Sequence, residues 1–351
     1  MLSSDPPPRK ASDWPDGYAL FALLAAGLAA RLALAGTTFL NPDEALHYWL
    51  SVQPSLKHAY QASLTTAHPP LLILFLYFWR SLGHSEFVLR LPSAVAGTGF
   101  AWLSFKWLDR VADRGVATLT LILLLFSPSL VVLTAELRQY ALLLLFISAS
   151  VYFFDIAILE SSELKMVLSG ASLLLALLTH YSALLFAVAL GIYSLARLYR
   201  LRRQTGLLST WAATQLLCFA TCAYLFVPHI ASLRSQGVVQ DIADTWLRTS
   251  IFHPGDGSRL FFLGRGTLRL FRYLFGQPAT GPVGLLLFGW GIWVLFRSKV
   301  AAPLGPSSRQ LGVLLVAPLL INIALSGSYP YGGTRHNAFL ALFVMTAVSF
   351  A

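Results

Sequence analysis

The sequence predicts an all-α protein that crosses a membrane many times. Of its 351 residues, 56% are hydrophobic and only 11% are charged, whereas a soluble domain is usually about one quarter charged. The mean hydropathy is +0.67. One apolar run after another approaches the ~20 residues that cross a bilayer as a helix. A soluble globular fold is therefore excluded.

The net charge is +10 and comes mostly from arginine. In a soluble protein such a charge would suggest nucleic acid. In a membrane protein it has two better explanations, because basic residues gather in cytoplasmic loops and also contact lipid phosphates. We therefore expect membrane lipid, and no nucleic acid, as a partner.

The apolar runs predict a bundle of about 11 spans. They lie roughly at residues 17–40, 69–82, 86–108, 116–134, 139–159, 165–179, 182–198, 207–230, 282–297, 310–326 and 337–351. Residues 1–16 contain three consecutive prolines and predict a disordered cytoplasmic tail. Residues 17–351 then form a single transmembrane domain. Its last span is still apolar at residue 351, so we expect the domain to be short at its C-terminus.

Basic residues predict the orientation of the chain in a cell membrane. Arg9, Lys10 and the cluster at 197–204 belong on the cytoplasmic side. The three long polar segments are then outer loops on the extracytoplasmic face, at residues 41–68, 231–281 and 326–337. The parity of the spans fits only if one short segment, 69–82 or 116–134, does not cross fully.

The first outer loop begins with "LNPDEALHYW". Asn41 can cap a helix, Pro42 suits its first position, and Asp43 and Glu44 complement its positive end. Pro54 should kink this helix. Apolar residues recur with a helical period and predict a helix lying in the membrane interface, at Ala45, Trp49, Val52, Leu56 and Tyr60. Capping and catalysis both remain open for the two acids, and one acid can serve each role because neighbours point about 100° apart.

Ionisable residues at the edges of the spans are candidates for function. Glu136 and Arg138 stand between two apolar runs and do not face each other on a helix. Arg90 is a weaker case, for which structural anchoring is the alternative. His180 and Tyr181 join two spans, where they line a cavity or lie hydrogen-bonded in the core.

Phosphate-binding candidates follow the glycines of "YGGTRH". Arg335 presents a planar fork that suits phosphate, with His336 beside it, and snorkelling at a span end is the alternative for Arg335. His68 precedes two prolines at the end of the first loop and is either a satisfied polar residue or a ligand. A divalent metal held by Asp43, Glu44 and His68 is a further hypothesis, although no Cys/His metal-ligand spacing occurs.

The second outer loop contains "RLFFLGRGTLRLFRYLF", which alternates basic and apolar residues. This pattern is typical of a helix on a membrane surface. Such a helix either guides a charged headgroup or simply lies on anionic lipid.

Six segments, in order, resemble glycosyltransferase family 39, which contains enzymes similar to protein O-mannosyltransferases and aminoarabinose transferases. They are "NPDEALHYW", "HPPLLILFLYFW", "SEFVLRLPSAVAG", "AELRQYALLLLF", "LLTHYSALL" and "YPYGGTRHNAFL". The resemblance covers residues 17–351 and implies the C-type membrane glycosyltransferase fold. Many members of the family have a longer C-terminal region than this chain.

The resemblance also implies an activity, namely transfer of a sugar from a polyprenyl-phosphate donor to an acceptor on the extracytoplasmic side. It makes Asp43 the catalytic carboxylate, with Glu44 beside it. His68 stands where the aminoarabinose-transferring members have lysine. The acceptor can be a glycan, a lipid or a protein. The residues expected to bind the donor phosphate or the substrates are His68, Arg90, Glu136, Arg138, His180, Tyr181, Arg335 and His336.

The chemistry agrees with a single catalytic carboxylate. A polyprenyl phosphate leaves without needing a proton, so the enzyme needs only a base for the acceptor hydroxyl and cations for the phosphate. Direct displacement would invert the anomeric centre. Two alternatives remain, a transporter or flippase for a lipid-linked or anionic solute, and an inactive shortened relative. A transporter would be expected to show internal repeats, and the sequence has none.

Overall fold

The computed structural model describes residues 17–199, 204–298 and 304–351. Within these ranges all regular structure is helical and no strand occurs, which confirms the all-α prediction. The predicted tail at 1–16 and residues 200–203 of the basic cluster lie outside the described residues.

The helices agree closely with the predicted spans. Those of the first half are α1 Gly17–Thr37, α2 Pro42–Ser51, α3 Leu56–Ser63, α4 Leu71–Trp79, α5 Glu86–Val111, α6 Arg114–Phe126, α7 Pro128–Leu133, α8 Tyr140–Leu159 and α9 Glu163–Thr179. Those of the second half are α10 Ala183–Leu198, α11 Thr205–Leu225, α12 Ser232–Ser235, α13 Val238–Asp244, α14 Arg259–Phe275, α15 Thr280–Arg297, α16 Ser308–Ala324 and α17 Ala341–Ser349. A π-helical stretch, Phe226–Ala231, joins α11 to α12.

Four helices in the described ranges are long and apolar enough to cross a membrane, by length and composition. They are α1, α8, α11 with its continuation to Ser235, and α15. Helix α4 has nine residues and rises only about 14 Å, roughly half of the ~30 Å hydrocarbon core. The segment 116–134 is divided at Ser127 into α6 and α7. The number of about 11 spans stays a prediction.

Helix α8 forms the centre of the bundle, where it packs between α5 and α9. Helix α17 is buried on nearly all sides and contacts α6, α15 and α16. Arg31 of α1 is fully buried and donates to the Thr134 hydroxyl at 2.7 Å and to the carbonyl of Leu125 at 3.1 Å. Arg31 is therefore a structural anchor that holds α1 against the end of α6 and the end of α7.

The first predicted loop folds as two short helices rather than one kinked helix. Helix α2 ends at Ser51, and α3 starts after Ser55, whose hydroxyl accepts from the amide of His58. Pro54 lies in the break, as its lack of an amide hydrogen requires. The interfacial position of these helices stays a prediction. Both pack against α4 and so border the rest of the bundle.

Candidate active site

A capping box fixes the start of α2 and with it the direction of the two acids. The Asn41 side chain accepts from the Glu44 amide at 3.0 Å, and the Asn41 amide donates to Glu44 Oε2 at 2.9 Å. Pro42 occupies the first helical position, where no amide donor is needed. Because Glu44 is turned back to the cap, Asp43 points elsewhere.

Glu44 is fully buried in an ion pair with Arg90. Two parallel hydrogen bonds of 2.7 Å join the guanidinium of Arg90 to the carboxylate, and the Leu137 amide donates at 2.6 Å. Burial opposes ionisation, but Arg90 and the two backbone amides outweigh it and hold the pKa of Glu44 below its usual value. The remaining Arg90 donors go to the carbonyls of Ala35, Thr38 and Phe39.

This geometry favours the structural alternative for two of the expected site residues, Glu44 and Arg90. All five donor hydrogens of the Arg90 guanidinium have partners within the protein, so Arg90 has none left for a phosphate. The Glu44 carboxylate is enclosed and accepts from three groups, so it cannot take a proton from a substrate. The pair instead ties the start of α2 to α5 and to the end of α1.

Asp43 remains accessible, with 56% of its side chain exposed, and two arginines surround its carboxylate. Arg138 donates to Oδ2, and Nη1 of Arg335 lies 3.6 Å from the same oxygen. The same Arg335 atom is 3.6 Å from Glu136 Oε2. The structure thus brings together four of the predicted residues from three distant segments of the chain.

Arg138 retains unused hydrogen-bonding capacity. Its side chain is only 8% exposed, yet within the described ranges its Nε has no hydrogen-bond partner. Buried polar groups are normally satisfied. The Nε donor beside the exposed carboxylate is therefore available to a polar ligand.

A row of four histidines runs beside Asp43. Ring centroids are separated by 6.1 Å between His47 and His68, by 5.2 Å between His68 and His180, and by 5.6 Å between His180 and His336. His47 Nδ1 lies 2.5 Å from the Asp43 carbonyl oxygen, one helical turn away. The Tyr140 ring lies 5.2 Å from His180. Three of these histidines, His68, His180 and His336, are predicted site residues, and the row connects them to Asp43 through His47.

These histidines are neutral near pH 7. Burial, together with the neighbouring imidazole of His180, lowers the pKa of His68 well below its usual value. Burial and the positive charges of Arg138 and Arg335 lower the pKa of His336 to about 4. His68 and His336 can therefore give and accept hydrogen bonds but do not supply a positive charge for a phosphate. Arg138 and Arg335 are the cations at Asp43.

Glu136 differs from Glu44 in the direction of its pKa shift. Burial raises its pKa, and the positive charges of Arg335 and Arg138 only partly oppose this effect. One of its oxygens, Oε2, is buried without a hydrogen-bond partner in the described part of the chain. Glu136 thus belongs to the site as a neighbour of Arg335.

Tyr181 does not join the others. Its hydroxyl lies 2.6 Å from His229 Nδ1, and His229 Nε2 lies 2.6 Å from the Thr66 carbonyl oxygen. This chain of contacts links the start of α10 to the π-helical stretch and to the segment just before His68. Tyr181 therefore reaches the site indirectly, through His229 and the backbone of Thr66, which lies two residues before His68.

The sequence reasoning missed His47, Tyr140 and His229. The spacing of His47, four residues after Asp43, was a usable signal, because residues i and i+4 share a helix face. Tyr140 follows Arg138 directly in "LRQY", and His229 is an isolated ionisable residue in an apolar run. Such residues are functional or structural by default in a membrane.

A metal site built from Asp43, Glu44 and His68 is not formed, because Glu44 is turned to Arg90. Across the ranges that the structure describes, no group of three or more histidine, cysteine, aspartate or glutamate side chains is arranged to hold a metal ion. The residues around Asp43 are instead arranged as one carboxylate, two guanidinium groups and neutral imidazoles.

Comparison with known proteins shows which family model and which solved structures this chain is similar to. Residues 67–230 match the family model described as dolichyl-phosphate-mannose-protein mannosyltransferase. A crystal structure of ArnT from Cupriavidus metallidurans bound to undecaprenyl phosphate is similar to this chain, with a TM-score of 0.60 and 18% identity. The apo form of the same enzyme gives a TM-score of 0.58 and 15% identity. No curated protein sequence matches this chain.

A second enzyme of the same fold class also resembles the chain. It is the oligosaccharyltransferase of Archaeoglobus fulgidus tethered to an acceptor peptide, with a TM-score of 0.56 and 10% identity. The matches cover 95% and 96% of this chain, but only 60% of the undecaprenyl-phosphate-bound ArnT chain and 50% of the oligosaccharyltransferase chain. The chain therefore spans between half and two thirds of the length of these structures.

The protein has the fold of the C-type membrane glycosyltransferases. The match of residues 67–230 to the mannosyltransferase family model, together with this fold, confirms the resemblance drawn from the six sequence segments.

Proposed function

We propose that this protein is an integral-membrane glycosyltransferase that moves a sugar from a polyprenyl phosphate to an acceptor hydroxyl on the extracytoplasmic face. The observation that carries the proposal is the accessible Asp43 carboxylate with Arg138 and Arg335 beside it. A base next to two phosphate-binding side chains is the set of groups that this transfer needs.

The bond changes follow from the chemistry of the donor. Asp43 accepts the proton of the acceptor hydroxyl, and the hydroxyl oxygen attacks the anomeric carbon of the donor sugar. The bond from that carbon to the phosphate oxygen breaks, and the polyprenyl phosphate leaves with the electron pair. Direct displacement of this kind inverts the anomeric centre.

Arg138 and Arg335 are the proposed ligands of the departing phosphate. Guanidinium groups form paired, charge-assisted hydrogen bonds with phosphate, and Arg138 Nε has no partner of its own in the described chain. The neutral imidazoles of His68, His180 and His336 are suited to the hydroxyl groups of the sugar, because each can donate or accept a hydrogen bond. Glu136 is assigned to the orientation of Arg335.

The comparisons support this assignment in general terms. The similar ArnT structure is bound to undecaprenyl phosphate, which is a polyprenyl phosphate. The similar oligosaccharyltransferase is tethered to an acceptor peptide. Both are consistent with a lipid-linked donor and a separate acceptor at one site.

Sugar transfer in membranes tests the proposal. Membranes containing the full chain are supplied with radiolabelled undecaprenyl-phosphate sugars, with mannose, arabinose, aminoarabinose and galacturonic acid tried in turn. We expect transfer from at least one donor. Arg138→Gln and Arg335→Gln should each raise the donor KM about tenfold or more, as loss of a charge-assisted hydrogen bond predicts. Arg234→Gln, which removes an exposed charge elsewhere in the second outer loop, is the control.

No transfer from any donor by the native chain, with the protein folded, would count against the proposal and favour a transporter or an inactive relative. An unchanged donor KM in both arginine variants would show that the phosphate binds elsewhere.

A further inference from the structure

A second set of arginines lies on α14, away from Asp43. Arg265, Arg269 and Arg272 follow each other at intervals of four and three residues, which places them on one face of the helix. The opposite face is buried through Leu270 and Leu274. In the described part of the chain, none of the three guanidinium groups has a carboxylate partner.

These arginines line two adjoining cavities. The first, of about 460 Å³, is bordered by Arg265, Arg269 and Tyr331. The second, of about 360 Å³, is bordered by Arg269, Arg272, Tyr273 and Tyr331. The two cavities share Arg269 and Tyr331 as lining residues and lie side by side along α14; together they are called the basic groove.

The basic groove continues toward the proposed catalytic residues. Tyr273 also borders a third cavity, of about 350 Å³, together with Glu136 and Arg335. Arg335 is the residue whose guanidinium lies 3.6 Å from Asp43. Tyr273 therefore borders both the basic groove and the cavity that contains Arg335.

The loop that carries Arg335 is fixed against α14. The Tyr331 hydroxyl lies 2.6 Å from Thr267 Oγ1, and the Tyr331 amide donates to the Ser250 carbonyl at 2.7 Å. A Cβ at Gly266 would meet the Tyr331 ring at 2.7 Å, so the glycine is what allows this close packing. The basic groove and Arg335 thus have a defined separation.

Among the described residues, one arginine at the basic groove is paired with a carboxylate, and Arg269 is not. Arg248 also borders the first cavity, but it is paired with the carboxylate of Asp256 through two hydrogen bonds of 2.8 and 2.6 Å. Arg269 has no such partner, and burial together with the charge of Arg265 lowers its pKa. Uncompensated positive charge of this kind is stabilised by a bound anion, and Arg favours phosphate in particular.

Distance argues against the donor phosphate as that anion. From Arg265 to Tyr273 there are eight residues, a rise of about 12 Å along the helix. A donor whose phosphate lies at Arg138 and Arg335 cannot place the same phosphate in the first cavity. An anion bound there is therefore a different group from the donor phosphate.

We infer that the basic groove binds a phosphate group of the acceptor, so that the acceptor is a phosphate-bearing molecule whose hydroxyl reaches Asp43. This inference rests on the proposed function and specifies its acceptor class. The phosphate can be carried by a lipid headgroup or by a water-soluble molecule, and the experiment separates these sources.

Binding is measured on the purified full chain in phosphatidylcholine nanodiscs. The probes are glycerol 3-phosphate in solution, followed by calorimetry, and phosphatidic acid added to the nanodisc, followed by native mass spectrometry. We expect at least one probe to bind about tenfold more weakly to the variant Arg265→Gln/Arg269→Gln. Arg265→Gln alone, at an exposed position, should weaken binding in the same direction without disturbing the fold.

The control variant is Arg234→Gln/Arg110→Gln, which also removes two exposed positive charges, and it should bind both probes as the native chain does. Undecaprenyl phosphate should not displace the bound probe. If the groove variant binds glycerol 3-phosphate more weakly than the native chain does, the acceptor is a soluble molecule. If only the binding of phosphatidic acid is weakened, the acceptor is a lipid.

Three results would overturn the inference. They are equal affinity in the native chain and the groove variants, equal weakening in the control, and displacement of the probe by undecaprenyl phosphate, which would make the groove part of the donor site. Failure of the proposed function shows separately, as absence of sugar transfer by the native chain in membranes.

Discussion

Two neighbouring acids, Asp43 and Glu44, have different environments because a helix turns about 100° per residue. Glu44 is directed into the protein, where Arg90 and the Leu137 amide bind it. Asp43 is directed toward Arg138 and Arg335 and stays accessible. We therefore assign the structural role to Glu44 and the chemical role to Asp43.

Replacement of Arg90 by lysine tests the structural half of this assignment. Lysine keeps the charge but cannot form the five hydrogen bonds that Arg90 makes, so Glu44 is left partly unsatisfied in a buried place. We expect the free energy of unfolding to fall by about 2–4 kcal/mol, as for other broken buried pairs. Denaturant unfolding in detergent micelles measures this change.

Arg110→Lys is the matched control, since Arg110 is exposed at the end of α5, and it should leave the stability unchanged. Equal stability of the Arg90 variant and the control would show that the buried pair does not hold α2 in place.

At the scale of elements, α14 and the segment with "YGG" act as one unit. The packing of Tyr331 on Gly266 requires a residue without a side chain in the helix, and Gly332 has φ of 115°, which glycine adopts readily. This unit connects the basic groove to Arg335. Its geometry therefore affects both the fold and the proposed chemistry.

Two glycines in α14 provide a matched comparison. Gly266→Ala places a methyl group 2.7 Å from the Tyr331 ring, so we expect a loss of about 1–3 kcal/mol in unfolding free energy, as overpacking causes, and slower sugar transfer. Gly264→Ala meets nothing within 4 Å and should be neutral or stabilise by up to about 1 kcal/mol. Thermal unfolding of the two variants, with transfer assays on the same preparations, makes the comparison.

Equal behaviour of the two alanine variants would contradict the role given to the contact between Tyr331 and Gly266.

At the scale of the whole molecule, the candidate site and a second buried cluster lie at opposite ends of the long helices. Helix α8 begins at Tyr140, beside the site, while Asp155 near its other end binds Arg197, Tyr193 and Trp107. Arg197 belongs to the basic cluster predicted to be cytoplasmic. The described helices thus connect a polar site at one end to charged residues at the other.

Cysteine labelling tests the predicted orientation. After replacement of Cys218 and Cys222, single cysteines are introduced for Gln61, Gln236 and Ser328 in the three predicted outer loops and for Glu160 at the far end of α8; all four positions are exposed. In intact cells, an impermeant maleimide should label the first three and not the fourth. The reverse pattern would place the candidate site in the cytoplasm.

The sequence was sufficient for the helices and for the charged residues that surround Asp43. Apolar runs are long and helices need only local hydrogen bonds, so the predicted spans and the observed helices agree closely. The proximity of Asp43, His68 and Arg335 was expected from a common membrane face and from the family resemblance; the structure brings Arg335 to 3.6 Å from Asp43 and places His68 next to His47. The contacts of each side chain depend on packing between segments that are distant in the sequence. The spacing of residues therefore could not predict that Glu44 and Arg90 enclose each other, nor that four neutral histidines form a row.

The function of Asp43 as base is the central claim, and Asp43→Asn tests it most directly. Asparagine keeps the shape and can still accept from Arg138, but it cannot take up the acceptor proton. In the membrane assay with a radiolabelled undecaprenyl-phosphate sugar, we expect transfer to fall about 100-fold or more, with the protein folded and undecaprenyl phosphate still bound. Transfer by Asp43→Asn at the native rate would contradict the claim.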